Sequence, residues 1–324
     1  MISPLGNTLD ETKRALLELA QSGVAVSDCY SPGRPLPLGR IAANSVLPCL
    51  DDRPLAQRSR NNQLALAALQ QIRPAVDAAI DRFGPARLGV IIGTSTSGIG
   101  EAENALYDFV FTGALSNRFH YGQQELASPA IFLAAELGIV GPVYVHSSAC
   151  ASSAKALASA ARLILTDACD AVVAGGVDTL CRFTVAGFAA LETLSMKRCN
   201  PLSLNRDGIN IGEGAALFLV SREPSTVACR GWGESSDGYH MSAPDPSGVG
   251  VRIALERALT RAAVSAAEIE YINLHGTATV QNDAMEAQLI DQVLGDRVCV
   301  SSTKPTTGHA LGAAGAIEAG LCWL

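Results

Sequence analysis

"VHSSACASSAKALASAARLIL" (residues 145–165) joins an apolar strand pattern to a helix built almost wholly of Ala, Ser and Leu, with Cys150 at the junction. A helix with so little polar surface is expected deep inside the molecule. Free cysteine is among the most buried residue types, so an inert filler thiol is the ordinary reading of any one cysteine. The junction changes that reading. A helix N-terminus presents unpaired N–H groups and a partial positive charge, and both favour thiolate. An ordinary thiol is only a few per cent ionised near neutrality. A helix end worth up to ~2 kcal/mol would raise that fraction about tenfold or more. Cys150 is therefore expected to open the helix as a nucleophile, with small residues behind it that let neighbouring backbone come close.

Outward from this stretch, apolar runs at 87–93, 141–147, 170–178, 215–221, 270–276 and 297–302 read as strands buried on both faces. Helical patterns lie between them, at about 62–80, 101–111, 128–137, 150–166, 250–263, 283–294 and 312–323. Asp283 and Glu286 have the spacing of a helix-capping pair. The alternation predicts an α/β architecture. The polar stretch "SREPSTVACRG" (221–231) is the candidate linker, dividing the chain into residues 1–225 and 226–324.

Composition narrows the function classes. The 324 residues are 48% hydrophobic and 17% charged, enough for a large core. The net charge of −7, with no basic run, argues against nucleic acid. The most apolar tracts are interrupted by Arg162, Asp167 and Asp170, so no membrane span is predicted. Nine cysteines without CxxC spacing, and no signal-peptide pattern at "MISPLGNTLDETKRALLELA", predict free thiols in a reducing cytoplasm. Cys and His are too scattered for a structural zinc site. "GTSTSGIG" (93–100) lacks the Lys of a P-loop and reads as a strand-to-helix turn.

Two further motifs carry chemistry. In "NLHGTATVQND" (273–283), His275 ends a predicted strand, and Gly276, Thr277 and Thr279 form a turn able to fix its ring. In "SSTKPTTGHALGAAGAIEA" (301–319), Lys304 and His309 follow another strand. A lysine in such apolar surroundings needs a counter-charge, and Glu318 is the nearest in sequence. Each feature alone is commonly structural: a satisfied polar histidine, a surface lysine, a capping histidine. Together, one thiol, two imidazoles and a lysine at three strand ends suit acyl-thioester chemistry. The thiolate accepts an acyl group, and neutral imidazole N–H groups stabilise an enolate oxygen.

"SSACASS", "HGTAT" and "STKPTTGHALGAAGAIEA" resemble the three active-site motifs of the elongating β-ketoacyl-acyl-carrier-protein synthases of the thiolase superfamily. "SPLGNT" (3–8), "NRDGINIGEGAA" (205–216) and "SSDGYHMSAPDP" (235–246) extend the resemblance along nearly the whole chain. It implies a duplicated five-layer αβαβα fold with a mixed five-stranded sheet in each half, working as a homodimer or as a heterodimer with a related synthase subunit. It implies Cys150 as acyl acceptor, His275 and His309 on the malonyl thioester carbonyl, and Lys304 paired with Glu318. The helix end at Cys150 would then abut a fatty-substrate tunnel. The reaction implied is decarboxylative Claisen condensation of a Cys-bound acyl chain with malonyl-acyl-carrier protein, in fatty-acid or polyketide/polyene synthesis, without metal or cofactor. Arg58, Arg60, Lys197 and Arg198 are candidates for docking the acidic carrier protein. Two departures stand out. Val280 replaces the family's usual Pro, and against the family pattern both ends look cut, with "MI" before "SPLG" and "GLCWL" at the close, so the second half is expected to be incomplete. A non-catalytic partner subunit that binds a synthase or carrier protein is the competing expectation. Thiolase-like cleavage with coenzyme A is disfavoured by Lys304 and by the lack of a second motif cysteine.

Overall fold

The computed structural model describes residues 1–18, 22–240 and 242–324; Met241 of the "SSDGYHMSAPDP" stretch lies outside them. In chain order the first half comprises α1 (Leu9–Glu18), β1 (Val24–Ser27), β2 (Leu36–Gly39), α2 (Arg60–Phe83), β3 (Leu88–Gly93), α3 (Ile99–Thr112), α4 (Ser128–Leu137), β4 (Val143–His146), α5 (Ser152–Leu165), β5 (Ala171–Asp178), α6 (Arg182–Ala190) and β6 (Gly214–Ser221). The second half adds α7 (Val249–Ala262), β7 (Tyr271–Asn273), α8 (Val280–Leu294), β8 (Cys299–Ser301), the short α9 (Lys304–Thr307) and α10 (Ala314–Trp323).

The main sheet runs β4-β3-β5-β6, parallel across the first three strands and antiparallel at β6. It is mixed, as expected, and both β3 and β5 are buried along their whole length. Side-chain alternation explains this burial. Leu88, Val90 and Ile92 face a core shared with Leu64 and Leu69 of α2 and Leu133 of α4. Ile91, with Val172 and Ala174 of β5, packs instead on Ala156, Ala160 and Ile164 of α5. The sheet is thus covered by helices on both faces, with α5 as the inner layer.

The sheets are narrower than the resemblance implies. Among the described residues the first has four strands, extended at its outer edge only by Ile2, which exchanges backbone hydrogen bonds of 2.8 and 2.9 Å with Ala215. The second-half sheet is the parallel pair β7-β8. Residues 229–238 carry no ladder; a Cβ at Gly233 would lie 1.6 Å from the Ala254 carbonyl oxygen, so this segment is pressed against α7.

Besides α6 and the short α9, two features lie beyond the sequence reading, α1 and the β1-β2 pair. The helix α1 has a legible start, since Thr8 Oγ1 accepts the Glu11 N–H at 3.2 Å and the Glu11 carboxylate accepts the Asn7 N–H at 2.6 Å. The β1-β2 pair is only four residues long on each side and carries Pro37, which hides it from a periodicity argument. A third difference bears on the site: α5 begins at Ser152, so Cys150 stands before the helix and not in it.

Gly93 sets how closely β3 meets α5, because a Cβ there would sit 2.3 Å from the Ser153 nitrogen. The obstacle is backbone, which cannot rotate away. Gly93→Ala is expected to destabilise by about 1–3 kcal/mol, read as a lower urea midpoint at unchanged slope. A wild-type midpoint would show that the strand end and helix can part freely.

Candidate active site

Cys150 sits on a sharp strand-to-helix elbow. Ala149 has φ 49°, a left-handed conformation that an L-residue with a Cβ holds only when its surroundings enforce it. The enforcement is local. The Ser148 N–H donates to Ser152 Oγ at 2.9 Å, and that hydroxyl donates to the Ala149 carbonyl at 2.6 Å. Ser153 Oγ accepts the Ala316 N–H at 2.9 Å, tying the elbow to α10. The alternation of Ala and Ser in the opening motif therefore has two uses, closeness and short hydroxyl ties.

His275 follows β7. The two oxygens of Glu286 accept the consecutive N–H groups of His275 (2.6 Å) and Gly276 (2.8 Å). Asp283 accepts the Ala278 N–H at 3.1 Å and the Leu202 N–H at 2.7 Å. Asp283 and Glu286 thus hold the "HGTAT" loop; the helix behind it starts earlier than their spacing suggests, at Val280. Gly276 and Ala278 both have positive φ, 44° and 64°. The hydroxyls of Thr277 and Thr279 bond each other at 3.0 Å.

His309 is set by backbone. Its N–H donates to the Asn210 carbonyl at 2.7 Å, and its carbonyl accepts the Gly212 N–H at 2.8 Å. The Asn210 side chain accepts the Cys199 N–H and donates to the Lys197 carbonyl, at 2.7 and 3.0 Å. Lys304 is buried, and its ammonium donates to Glu318 Oε1 and to the His275 carbonyl, each at 2.5 Å.

These segments converge. His309 Nε2 lies 2.9 Å from Cys150 Sγ, and the two imidazoles meet edge to face at 5.2 Å between centroids. Cys150 Sγ and one ring nitrogen of each histidine all lie within 4.8 Å of one another. Burial lowers His275 to about 3, assisted by the Lys304 charge. The same causes, with His275 added, take His309 well below its ordinary value. Both rings are neutral at physiological pH. Cys150 departs from the thiolate expectation. Although partly open to solvent, it is densely surrounded, and burial pushes it up to about 11 against the pull of Lys304. A helix-end effect of ~2 kcal/mol, about 1.5 pH units, leaves the thiol mainly protonated at neutrality. The neutral ring at 2.9 Å is the nearest group able to accept its proton.

Of the docking candidates, Arg60 is committed elsewhere: its guanidinium holds the buried Glu213 carboxylate, with contacts of 2.6 and 3.1 Å. Arg198 Nε donates to the Pro305 carbonyl at 2.7 Å, and Arg58 Nε to the Arg53 carbonyl at 2.6 Å. Lys197 is exposed and only loosely paired with Asp207, at 3.5 Å. Two cavities, of about 410 Å³ along α2 and about 610 Å³ lined by Arg58, Glu101 and Arg118, lie away from Cys150 and are not the expected tunnel.

Asp178 escaped the sequence reading. At the end of β5 it accepts from Thr94 Oγ1, from Ser95 N and Oγ, and from Gly312 N at 2.6–3.0 Å, linking the "GTSTSG" turn to the segment after His309. An acidic residue closing an otherwise apolar strand was the available signal.

The neutral imidazoles make stability pH-dependent. His275 titrates near 6.5 when unfolded and about 3 in the fold. Between these values the unfolded chain binds a proton that the folded site refuses, so this contribution is full above about 6.5 and is lost as pH falls. His275→Gln is expected to flatten the acid limb of urea midpoint against pH. An unaltered limb would mean that the ring is not held neutral.

Comparison with known proteins gives the family. The family profile "Beta-ketoacyl synthase, N-terminal domain" matches residues 52–225, and "Beta-ketoacyl synthase, C-terminal domain" matches 227–324. A 3-oxoacyl-[acyl-carrier-protein] synthase 2 of Vibrio cholerae is 30% identical over 341 aligned positions, covering 98% of this chain and 82% of that protein. A ketosynthase (ApeO) solved in complex with its chain length factor (ApeC) from Xenorhabdus doucetiae is 46% identical, with TM-score 0.95, covering 99% of this chain and 81% of the solved one. A type II polyketide synthase acyl-carrier protein in complex with its ketosynthase bound to the hexaketide (AntDE:AntF) matches at 25% identity and TM-score 0.83, over 99% of this chain and 83% of that one. The thiolase-like ketosynthase fold and both matched halves place this chain in the β-ketoacyl synthase family.

Proposed function

We propose that this chain carries out decarboxylative Claisen condensation of a Cys150-bound acyl group with malonyl-acyl-carrier protein. The observation that carries the reading is the gathering of Cys150 Sγ and the His275 and His309 ring nitrogens within 4.8 Å from three separate strand ends. His309 Nε2 takes the thiol proton as Sγ attacks the incoming acyl thioester, and the proton leaves with the departing carrier thiol. Each imidazole is again neutral; His309, left with its proton on Nδ1, exchanges through solvent to the Nε2–H form before it donates into the site. In the second half-reaction these N–H groups stabilise the enolate oxygen that forms as the malonyl group loses carbon dioxide. The enolate carbon attacks the acyl carbonyl, the carbon–sulfur bond breaks, and Cys150 leaves as a thiolate that takes a proton from solvent to restore the thiol. Lys304 acts through its neighbours: it keeps both rings unprotonated and holds the His275 carbonyl in place.

The substrates arrive on acyl-carrier protein, and a second synthase subunit, either another copy or a chain-length-factor-like chain, completes the assembly. The Xenorhabdus ketosynthase is solved with its chain length factor, and the hexaketide-bound ketosynthase with its acyl-carrier protein. No described helix is long and apolar enough to cross a membrane, and every described cysteine is free, in keeping with work in the cytoplasm. Lys197, with its exposed ammonium, is the best placed of the docking candidates.

Incubation with carrier-loaded acyl chains is expected to add one acyl mass to the Cys150 peptide and none after Cys150→Ala. His309→Ala should retain the fold and lose condensation by about a hundredfold or more. Acylation persisting in Cys150→Ala would overturn the reading. Lys197→Glu is expected to raise KM for the carrier-bound substrate and leave turnover of a short pantetheine thioester unchanged; equal losses on both would remove Lys197 from docking.

A further inference from the structure

Cys150, His275 and His309 form a soft ligand set as well as a catalytic one. A thiolate and two imidazoles are the donors that zinc prefers. Tetrahedral zinc, with Zn–S about 2.3 Å and Zn–N about 2.0–2.1 Å, sets sulfur and nitrogen about 3.6 Å apart and the two nitrogens about 3.4 Å apart. Here His309 Nε2 and Sγ are 2.9 Å apart, and no pair in the set exceeds 4.8 Å. The required spacings fall inside that range. Movement of about an ångström or less in side chains at the ends of flexible χ angles would bring the three atoms to one metal.

We infer that the unacylated site reversibly binds one zinc-like divalent cation through Cys150, His275 and His309, leaving the fourth position to water and blocking acyl loading. The exchange is simple: the cation replaces the thiol proton, which goes to solvent, and nothing is oxidised or reduced. Both rings are neutral, so neither must lose a proton to ligate. The nearest fixed cation is the Lys304 ammonium; its 2.5 Å pair with Glu318 weakens its repulsion without removing it, and the thiolate charge on Cys150 offsets what remains.

The same structure argues against a resident metal. The metal-binding histidines of dedicated sites usually donate their second ring nitrogen to a carboxylate or carbonyl. His309 Nδ1 is buried and has no partner among the described residues. Missing outer partners typically lower affinity by about 10–100-fold. The bound state is thus an inhibited one that a chelator reverses. An acylated Cys150 has no thiolate to offer and escapes it.

The test needs no turnover, so it succeeds or fails independently of the proposed reaction. The exposed thiols are first removed in a background carrying Cys29→Ser, Cys49→Ser, Cys229→Ser, Cys299→Ser and Cys322→Ser. Cobalt(II) titrated into this protein without oxygen is expected to give a sulfur-to-metal charge-transfer band and strong tetrahedral d–d bands, saturating at one equivalent. Zinc should displace them, and EDTA should abolish them. Adding Cys150→Ala should remove the charge-transfer band, and His275→Ala or His309→Ala should weaken binding by at least about tenfold. Should these variants fail to fold, zinc protection of the Cys150 peptide from iodoacetamide, reversed by EDTA, reads the same site in the unaltered chain. A charge-transfer band that survives Cys150→Ala, or unprotected alkylation at saturating zinc, overturns the inference.

Discussion

The ion pair between Lys304 and Glu318 is the interaction on which the site depends. Both groups are withdrawn from water, with side-chain exposures of 2% and 17%. Burying either alone would be prohibitive, and breaking such a pair by removing one partner typically costs about 3–5 kcal/mol. A hydrophobic pair of the same size would be no less stable. The gain is electrostatic. The ammonium fixes the His275 carbonyl, and its field adds to burial in keeping both imidazoles unprotonated. A protonated ring could neither take the Cys150 proton nor return to donate a neutral N–H.

Neutral rings and a reluctant thiol belong together. Desolvation disfavours every charge, so the burial that lowers the histidines also raises Cys150 to about 11. In the proposed reaction the site holds its proton on sulfur until a substrate arrives, and the ring at 2.9 Å then receives it. Such a resting state stores no exposed thiolate for stray electrophiles to find. The helix end does not by itself make the thiolate, because Cys150 stands on an elbow ahead of Ser152 and burial raises its thiol.

Much of this was legible in the sequence, because the signals were local. The apolar runs at 87–93 and 170–178 read as interior strands and are buried throughout, and the Ala/Ser pattern after Cys150 read as a helix, which packs one face on the sheet and leaves Leu165 exposed. The cost of burying a lone ammonium called for a counter-charge or a shifted pKa at Lys304, and the family resemblance pointed to Glu318. What stayed hidden depends on contacts distant in sequence. Asp178 meets Gly312 across 134 residues, and Arg60 meets Glu213 across 153. Asp283 and Glu286 carry the right residue types at a capping spacing. Only the fold shows that their oxygens serve the loop before the helix. The exposure of β8, buried at none of its three positions, was likewise unreadable from an apolar run, since burial depends on what lies above the strand.

Alignment of the two halves rests on backbone approach more than on side-chain interlock. A Cβ at Gly312 would lie 2.8 Å from the Ser95 nitrogen and 2.7 Å from an Asp178 oxygen, so only glycine lets the segment after His309 seat on the end of β5. Ser153 and Ala316 meet through one hydroxyl–amide bond across the same seam. Contacts between backbones have few rotamers to exchange, and the seam therefore has little slack. Cys150 comes from one side of it and His309 from the other. A separation of 2.9 Å between two atoms carried by different halves is maintained only if the seam is as rigid as the strands beneath it. The small residues that make the opening motif look featureless supply that rigidity, and the reactive geometry follows from it.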